Sequence, residues 1–292
     1  MSKTLDVLRQ QIDILDHNIH DLLMKRGDLV TKIAEEKRKN KIQAVQPARE
    51  VMLIRKLLAR HKGDIPSEII VRVWREIVGT LQNKVKVAVC IPYEQTGFVY
   101  WDMAKDYFSN VSPLHKVTNP LVALSQVREN EAAFAVLPWP EDDISNPWWG
   151  YLLEESGDPG MKIVARLPLG QRVRESRNPE YRALLVARLN YEPTGSDRSF
   201  LALDLDEDIS RARILERAKT LDLAPLSLHS CSSVKPRRKL HLLEIEGYLD
   251  PAGEIQEKLL HSLDDPDGKC ICPGGYPVPF IYRNHIEKSS AQ

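Results

Sequence analysis

Leu8-Arg9-Gln10-Gln11-Ile12-Asp13-Ile14-Leu15-Asp16, continued by Leu22-Leu23-Met24-Lys25-Arg26, is the stretch on which the fold turns. Apolar residues fall at Leu8, Ile12, Leu15, Ile19, Leu22, Leu29 and Ile33, the alternating three and four spacing of one helix face. From Leu5 to about Asn40 there is no proline and one glycine, which predicts an unbroken helix. At ~35 residues it would be about 50 Å long, too long for a three-helix monomer to cover. An intertwined dimer would bury its seam. The series asks for an apolar residue between Leu22 and Leu29, and the chain supplies Arg26. A guanidinium aimed at a core needs a carboxylate, from Asp21, Asp28, Glu50 or a ligand, because burying it unpaired costs several kcal/mol. Lys37 follows near the same face, about 16 Å from Arg26 along the axis, so the two could hold opposite ends of one small anion. Arg9 is too distant to join them from the same chain, but an antiparallel partner helix would bring its copy close.

A second helix is predicted from Pro47, a residue suited to a first helical turn, to Arg60, where His61-Lys62-Gly63-Asp64 turns the chain. It opens with Arg49-Glu50, which adds a cation and a hydrogen-bond acceptor. A third helix follows Pro66 and carries Ile69, Ile70, Val73, Trp74, Ile77 and Val78. The pattern changes after Asn83. Lys86 to Ile91 reads as a strand, and the chain beyond it mixes short apolar runs with turn signals such as Pro138, Pro140 and Ser156-Gly157-Asp158-Pro159-Gly160. Another break lies at Pro193-Thr194-Gly195-Ser196. Beyond it come a strand at Phe200 to Leu205, a helix from Ser210 to Leu221, strands around Ala224 to Ser230 and Leu240 to Gly247, and a helix from Ile255 to Leu263. That order is the split βαβ arrangement of small ligand-binding modules. The predicted fold is therefore a multidomain α plus α/β chain: helical over 1–83, α/β over 86–198, βαββα(β) over 199–280, with a flexible tail at 281–292.

A chain of 292 residues is long enough for two or three domains, each with its own core. Its 41 basic and 41 acidic residues balance to +0, which argues against wholesale attraction to nucleic acid or anionic membrane. No apolar run approaches the ~20 residues of a bilayer span, and the first residues lack the apolar core of a signal peptide, so a cytoplasmic protein is expected. The closest cysteines, Cys270 and Cys272, are separated by one residue rather than the two of a zinc knuckle, and are read as free thiols. His229, Cys231 and His241 are read as packing residues rather than a metal site.

Residues 5 to about 82 resemble the all-helical class of chorismate mutases. The resemblance rests on Leu8-Arg9-Gln10-Gln11-Ile12-Asp13-Ile14-Leu15-Asp16, on Leu22-Leu23-Met24-Lys25-Arg26, and on Lys37 and Arg49-Glu50 in that order and spacing. It implies an intertwined homodimer converting chorismate to prephenate, with each site completed by Arg9 of the other copy. It further implies that Arg9 and Arg26 bind the two substrate carboxylates, Lys37 donates to the ether oxygen, Glu50 holds the ring hydroxyl and Arg49 supports the carboxylate region. Gln82 is the candidate second group on the ether oxygen, one helical turn short of the family's register. The rearrangement is pericyclic and needs no nucleophile, metal or redox cofactor, so fixed cations suffice to stabilise the charge that gathers on the breaking carbon–oxygen bond.

Residues 86 to about 205 more weakly resemble prephenate dehydratases, through Val87-Ala88-Val89, Gln95-Thr96-Gly97-Phe98, Ala135-Val136-Leu137-Pro138 and Asp197-Arg198-Ser199-Phe200. Trp139-Pro140-Glu141 stands where that family has Glu-Asn-Ser, and Asp197-Arg198-Ser199 where it has Thr-Arg-Phe. The resemblance thus implies a degenerate domain without dehydratase activity. Residues from Ser199 onward resemble the ACT regulatory module, through Leu243-Glu244-Ile245-Glu246-Gly247-Tyr248-Leu249 and Gly274-Gly275-Tyr276-Pro277, which would place a phenylalanine or tyrosine effector there. Two alternatives stand beside the mutase: a lyase or mutase acting on isochorismate on the same scaffold, and a non-catalytic sensor of chorismate or an aromatic amino acid.

Overall fold

The computed structural model describes residues 3–40, 45–80, 85–91, 97–142, 147–154, 160–172 and 181–282. The chain divides into two compact units, Met1–Gln46 and Pro47–Gln292. The first is a single helix, α1 (Lys3–Lys39), of 37 residues, with Asp6 in its first turn and Lys37, Arg38 and Lys39 in its last, charges that suit the helix dipole at each end. None of its residues is buried. The apolar series Leu8, Ile12, Leu15, Ile19, Leu22, Leu29 and Ile33 is 47% to 64% exposed along its length, so the predicted helix forms while its predicted seam lies open.

The second unit begins with α2 (Pro47–Arg60) and α3 (Ser67–Thr80). An α/β succession follows: β1 (Val87–Cys90), α4 (Gly97–Phe108), β2 (Leu114–Val117), α5 (Pro120–Arg128), β3 (Phe134–Pro138), a short 3₁₀ helix Trp148–Leu153, β4 (Lys162–Leu167), β5 (Gly170–Arg172) and β6 (Ala183–Ala187). The last part runs β7 (Asp197–Asp206), α6 (Arg211–Thr220), β8 (Pro225–Ser232), β9 (Arg238–Glu246), α7 (Ile255–Leu263), β10 (Lys269–Pro277) and β11 (Phe280–Tyr282). Local chemistry sets several of these ends. Asn119 caps α5 by accepting from the Leu121 amide, with Pro120 in the first turn, and the Ser210 hydroxyl accepts from the Arg213 amide to start α6.

Nine strands form one sheet in the order β2-β1-β3-β6-β4-β10-β7-β9-β8. Strand β1 is parallel to both β2 and β3, while β6 is antiparallel to β3 and β4. Strand β10 joins the halves, parallel to β4 and antiparallel to β7, and β9 runs antiparallel between β7 and β8. Two glycines make that junction possible. Gly274 has φ +105, and a Cβ there would collide with the Ile163 backbone; a Cβ on Gly275 would collide with the Arg198 carbonyl.

One face of the sheet packs Phe200, Ala202, Leu242 and Tyr276 with Trp139 and the 3₁₀ helix residues Trp148, Trp149, Leu152 and Leu153. The other packs Leu201, Leu203, Leu205, Leu243 and Ile245 against Ile214 and Ala218 of α6 and Leu259 and Leu263 of α7. This is the period-two alternation of a strand buried on both faces. Helices α2 and α3 bury Val51, Ile54 and Val71 against Phe280, with Leu169 and Tyr282 beside them. Strands β5 and β11 form the small parallel ribbon beneath. Arg55 of α2 ties this layer to the chain before β7, donating to the Thr194 carbonyl at 2.9 Å, its hydroxyl at 2.7 Å and the Ser196 carbonyl at 2.8 Å. No helix among the described residues is long and apolar enough to cross a membrane.

Candidate active site

The expected site residues fall in both units, and each set is described within its own. On α1, Arg26 and Lys37 are both partly buried, whereas most of the helix is exposed. Eleven residues separate them, three turns plus roughly 20°, so they share a face about 16 Å apart along the axis. Arg26 has no ion pair or hydrogen bond among the described residues, and neither Asp21 nor Asp28 neutralises it. Arg9 lies at the exposed end of α1, with Asp6 3.9 Å away.

On α2, the first turn splits the Arg49-Glu50 pair. Arg49 is exposed and Glu50 is buried. A carboxylate taken out of water needs a charged partner, and Arg75 of α3 supplies it at 2.7 Å from the Glu50 carboxylate. Arg75 is itself 2% exposed. Its Nε donates to the Tyr107 carbonyl at 2.8 Å, a second nitrogen donates to the same oxygen, and the guanidinium lies 4.1 Å from the Tyr107 ring centroid. Each of the three guanidinium nitrogens of Arg75 therefore has an acceptor, and its face lies against a ring. Beside it opens a cavity of about 380 Å³ lined by Glu68, Arg72, Arg75, Asp106, Tyr107 and Tyr282 among others. Burial pushes the Tyr107 phenol well above its ordinary range, the Arg75 charge opposing this and Glu50 adding to it. Gln82 lies outside the described residues.

Arg75 is the participant that sequence reasoning missed. Of the apolar residues named on α3, which are Ile69, Ile70, Val73, Trp74, Ile77 and Val78, Val78 is buried, and with it are Val71, Arg75 and Gly79. The signal was present as the four-residue step from Val71 to Arg75 to Gly79, with a glycine whose Cβ would collide with the Phe108 backbone, marking the close approach of α4. Elsewhere, among the described residues no group of three His, Cys, Asp or Glu side chains is placed to hold a metal ion. His229 lies 3.8 Å from Asp142, and burial pushes its pKa below the ordinary histidine value.

Residues 8–82 match the family model of chorismate mutase type II. The chain is 36% identical over 92 residues to a bifunctional chorismate mutase/prephenate dehydratase of Aquifex aeolicus, a match covering 29% of this chain and 25% of that protein. It thus spans about a quarter of the length of that curated relative. Among solved structures, it is similar to GqqA, described as a novel type of quorum quenching acylase, at 16% identity and a TM-score of 0.46, covering 66% of this chain and 95% of that one. It is also similar to a prephenate dehydratase from Streptococcus mutans, at 17% identity and a TM-score of 0.44, covering 69% of this chain and all of the other. Residues 8–82 thus match the chorismate mutase type II model, in a chain that also carries a nine-stranded α/β sheet.

Proposed function

We propose that this protein rearranges chorismate to prephenate, with Arg9, Arg26, Lys37, Arg49 and Glu50 as its catalytic and binding residues and Gln82 as a further candidate. The observation that carries the reading is the family match over 8–82, which contains all six positions. In support, Arg26 has no acceptor among the described residues and shares a helix face with Lys37. Two cations held that way suit a small molecule bearing two carboxylates and an ether oxygen, because guanidinium forks take carboxylates bidentately. An ammonium beside the ether oxygen gains strength as negative charge gathers there, which lowers the barrier rather than merely tightening binding. Glu50 lies 2.7 Å from Arg75, and as an acceptor for the ring hydroxyl it would be kept in place by that pair.

The remaining domain reading belongs to the same proposal: a mutase domain over 1–83, a degenerate dehydratase-like domain over 86–198, and an ACT-like module over 199–280 as the candidate seat of a phenylalanine or tyrosine effector. The succession β7-α6-β8-β9-α7-β10, with sheet order β10-β7-β9-β8, supports the last of these. A homodimer through α1 is proposed because the helix presents its whole apolar series to solvent, a patch of the kind that marks an association surface. The setting is cytoplasmic. The test is stoichiometric prephenate formation from chorismate by the full chain, with and without phenylalanine and tyrosine. Lys37→Ala is expected to lower kcat about 10²–10³-fold with a smaller change in KM, as for loss of one transition-state donor. Tight chorismate binding without turnover would replace the enzyme with a sensor, and turnover of isochorismate alone would replace the substrate.

A further inference from the structure

Helix α3 carries Glu68, Arg72 and Arg75 at steps of four and three residues, and α4 carries Met103, Asp106 and Tyr107 at the matching spacing of one helix face. These two faces meet the β4–β5 turn and the end of β11 around the cavity of about 380 Å³, a volume that suits a small ligand. Its apolar lining includes Val71, Met103, Leu167, Pro168 and Leu169. Tyr282 completes the wall. Its ring passes so close over Gly170 that a Cβ there would collide with the phenol, so the ring has no room to move on that side.

The polar groups of this lining are of two kinds. Arg75 is spent inside the chain, on Glu50 and the Tyr107 carbonyl. Arg72 and Asp106 are not. They share a single contact of 3.4 Å between exposed side chains and have no other partner among the described residues. Such a pair contributes little and separates at little cost. The Tyr282 hydroxyl makes no hydrogen bond among the described residues. Burial is the main cause that raises its pKa, with Glu68 and Asp106 adding to this and Arg72 opposing, so these charges surround a phenol that stays a protonated donor. The rim of an apolar cavity therefore presents one guanidinium, one carboxylate and one phenolic donor, each with bonding capacity unspent.

We propose that this cavity binds a small zwitterion, an α-amino acid with an apolar side chain. Its two charged groups sit on one carbon, as near to each other as Arg72 is to Asp106. The ligand carboxylate takes the Arg72 fork and the Tyr282 hydroxyl, the ammonium takes Asp106, and the side chain lies on Val71, Met103 and Leu169. One exposed ion pair is exchanged for two, and burial of the apolar part adds to the gain. A plain anion or cation fits less well, because it would take one partner of the Arg72–Asp106 pair and leave the other alone. The site uses none of Arg9, Arg26, Lys37, Arg49, Glu50 and Gln82 and does not rest on them. Its lining comes from α3, α4, the β4–β5 turn and β11, apart from the β7–β10 module.

The test is calorimetric titration of the full chain with leucine, methionine and phenylalanine, each beside its analogue lacking the carboxylate and its analogue lacking the ammonium. Saturable 1:1 binding of at least one amino acid is expected, with both of its analogues about tenfold weaker or more, the size of one lost charged hydrogen bond. Arg72→Ala, at an exposed position, should weaken that binding by a similar factor and leave the melting temperature close to wild type. Tyr282→Phe, which removes only the hydroxyl, should weaken it as well. Arg26→Ala and the surface variant Arg237→Ala should leave it unchanged. Absence of saturable binding by all three amino acids would overturn the site, as would wild-type affinity in both Arg72→Ala and Tyr282→Phe. An analogue that binds as tightly as its parent would overturn the zwitterion class.

Discussion

Arg26 and Arg75 are both arginines set into the apolar pattern of a helix, and the chain treats them in opposite ways. Arg75 sits in the second unit, 2% exposed, with Glu50, the Tyr107 carbonyl and the Tyr107 ring closing around it. Arg26 sits in the first unit, partly buried and without an acceptor among the described residues. A cation whose partners are built into the chain does structural service. One whose partners are missing is available to an anion from outside, and the comparison teaches that the two cannot be told apart by residue type or spacing, only by what surrounds them.

The contrast breaks most visibly at Arg75. Replacing it with alanine removes one side of a buried ion pair, a class of change that costs about 3–5 kcal/mol. Urea unfolding should show that loss, with a smaller loss in the double variant Arg75→Met/Glu50→Gln, which removes both charges. A single Arg75 variant as stable as wild type would mean that the pair is not a structural one.

Next in size is His241, buried on β9 with its Nδ1 2.9 Å from the Ser230 hydroxyl and its Nε2 without a partner. Burial is the main cause that lowers its pKa from 6.5 to about 4, with Arg211 and Lys239 adding to it and Asp204 opposing. The folded state therefore resists a proton that the unfolded chain accepts. The contribution is present in full above pH 6.5 and is lost as pH falls toward 4, by about 3 kcal/mol across that window. Chemical denaturation between pH 7 and 4.5 should show a decline in stability that His241→Asn flattens. An unchanged slope in that variant would assign the acid sensitivity elsewhere.

The smallest effect belongs to Arg72, one turn before Arg75 on α3. It pairs with Asp106 at 3.4 Å, with side chains 60% and 62% exposed. Solvent screening reduces such a pair to about 0.5 kcal/mol or less, so Arg72→Ala should unfold within that margin of wild type. The neighbouring arginines would then differ in worth through burial alone.

Much of this architecture was legible in the sequence. Helix α1 followed from an uninterrupted apolar repeat, α2 from the proline that opens it, and α7 from Ile255 to Leu263 as predicted, because short-range periodicity specifies these elements by itself. The joining of both halves into one sheet was not legible. Strand β10 enters between β4 and β7, partners distant in sequence, and the glycines that permit it read locally as a turn. The cations of α1 stood out because an apolar series skipped a beat at Arg26. Arg75 did not, since its surroundings are assembled from α2, α3 and α4.

The central claim is that an unneutralised guanidinium on α1 exists to meet chorismate. The most direct measurement is kcat/KM for prephenate formation by wild type and Arg26→Ala, alongside circular dichroism and melting temperature for both. We predict a fall of about 10³-fold or more in the variant, consistent with about 4 kcal/mol of lost transition-state stabilisation, at unchanged helicity and stability. Full activity in Arg26→Ala would contradict the account.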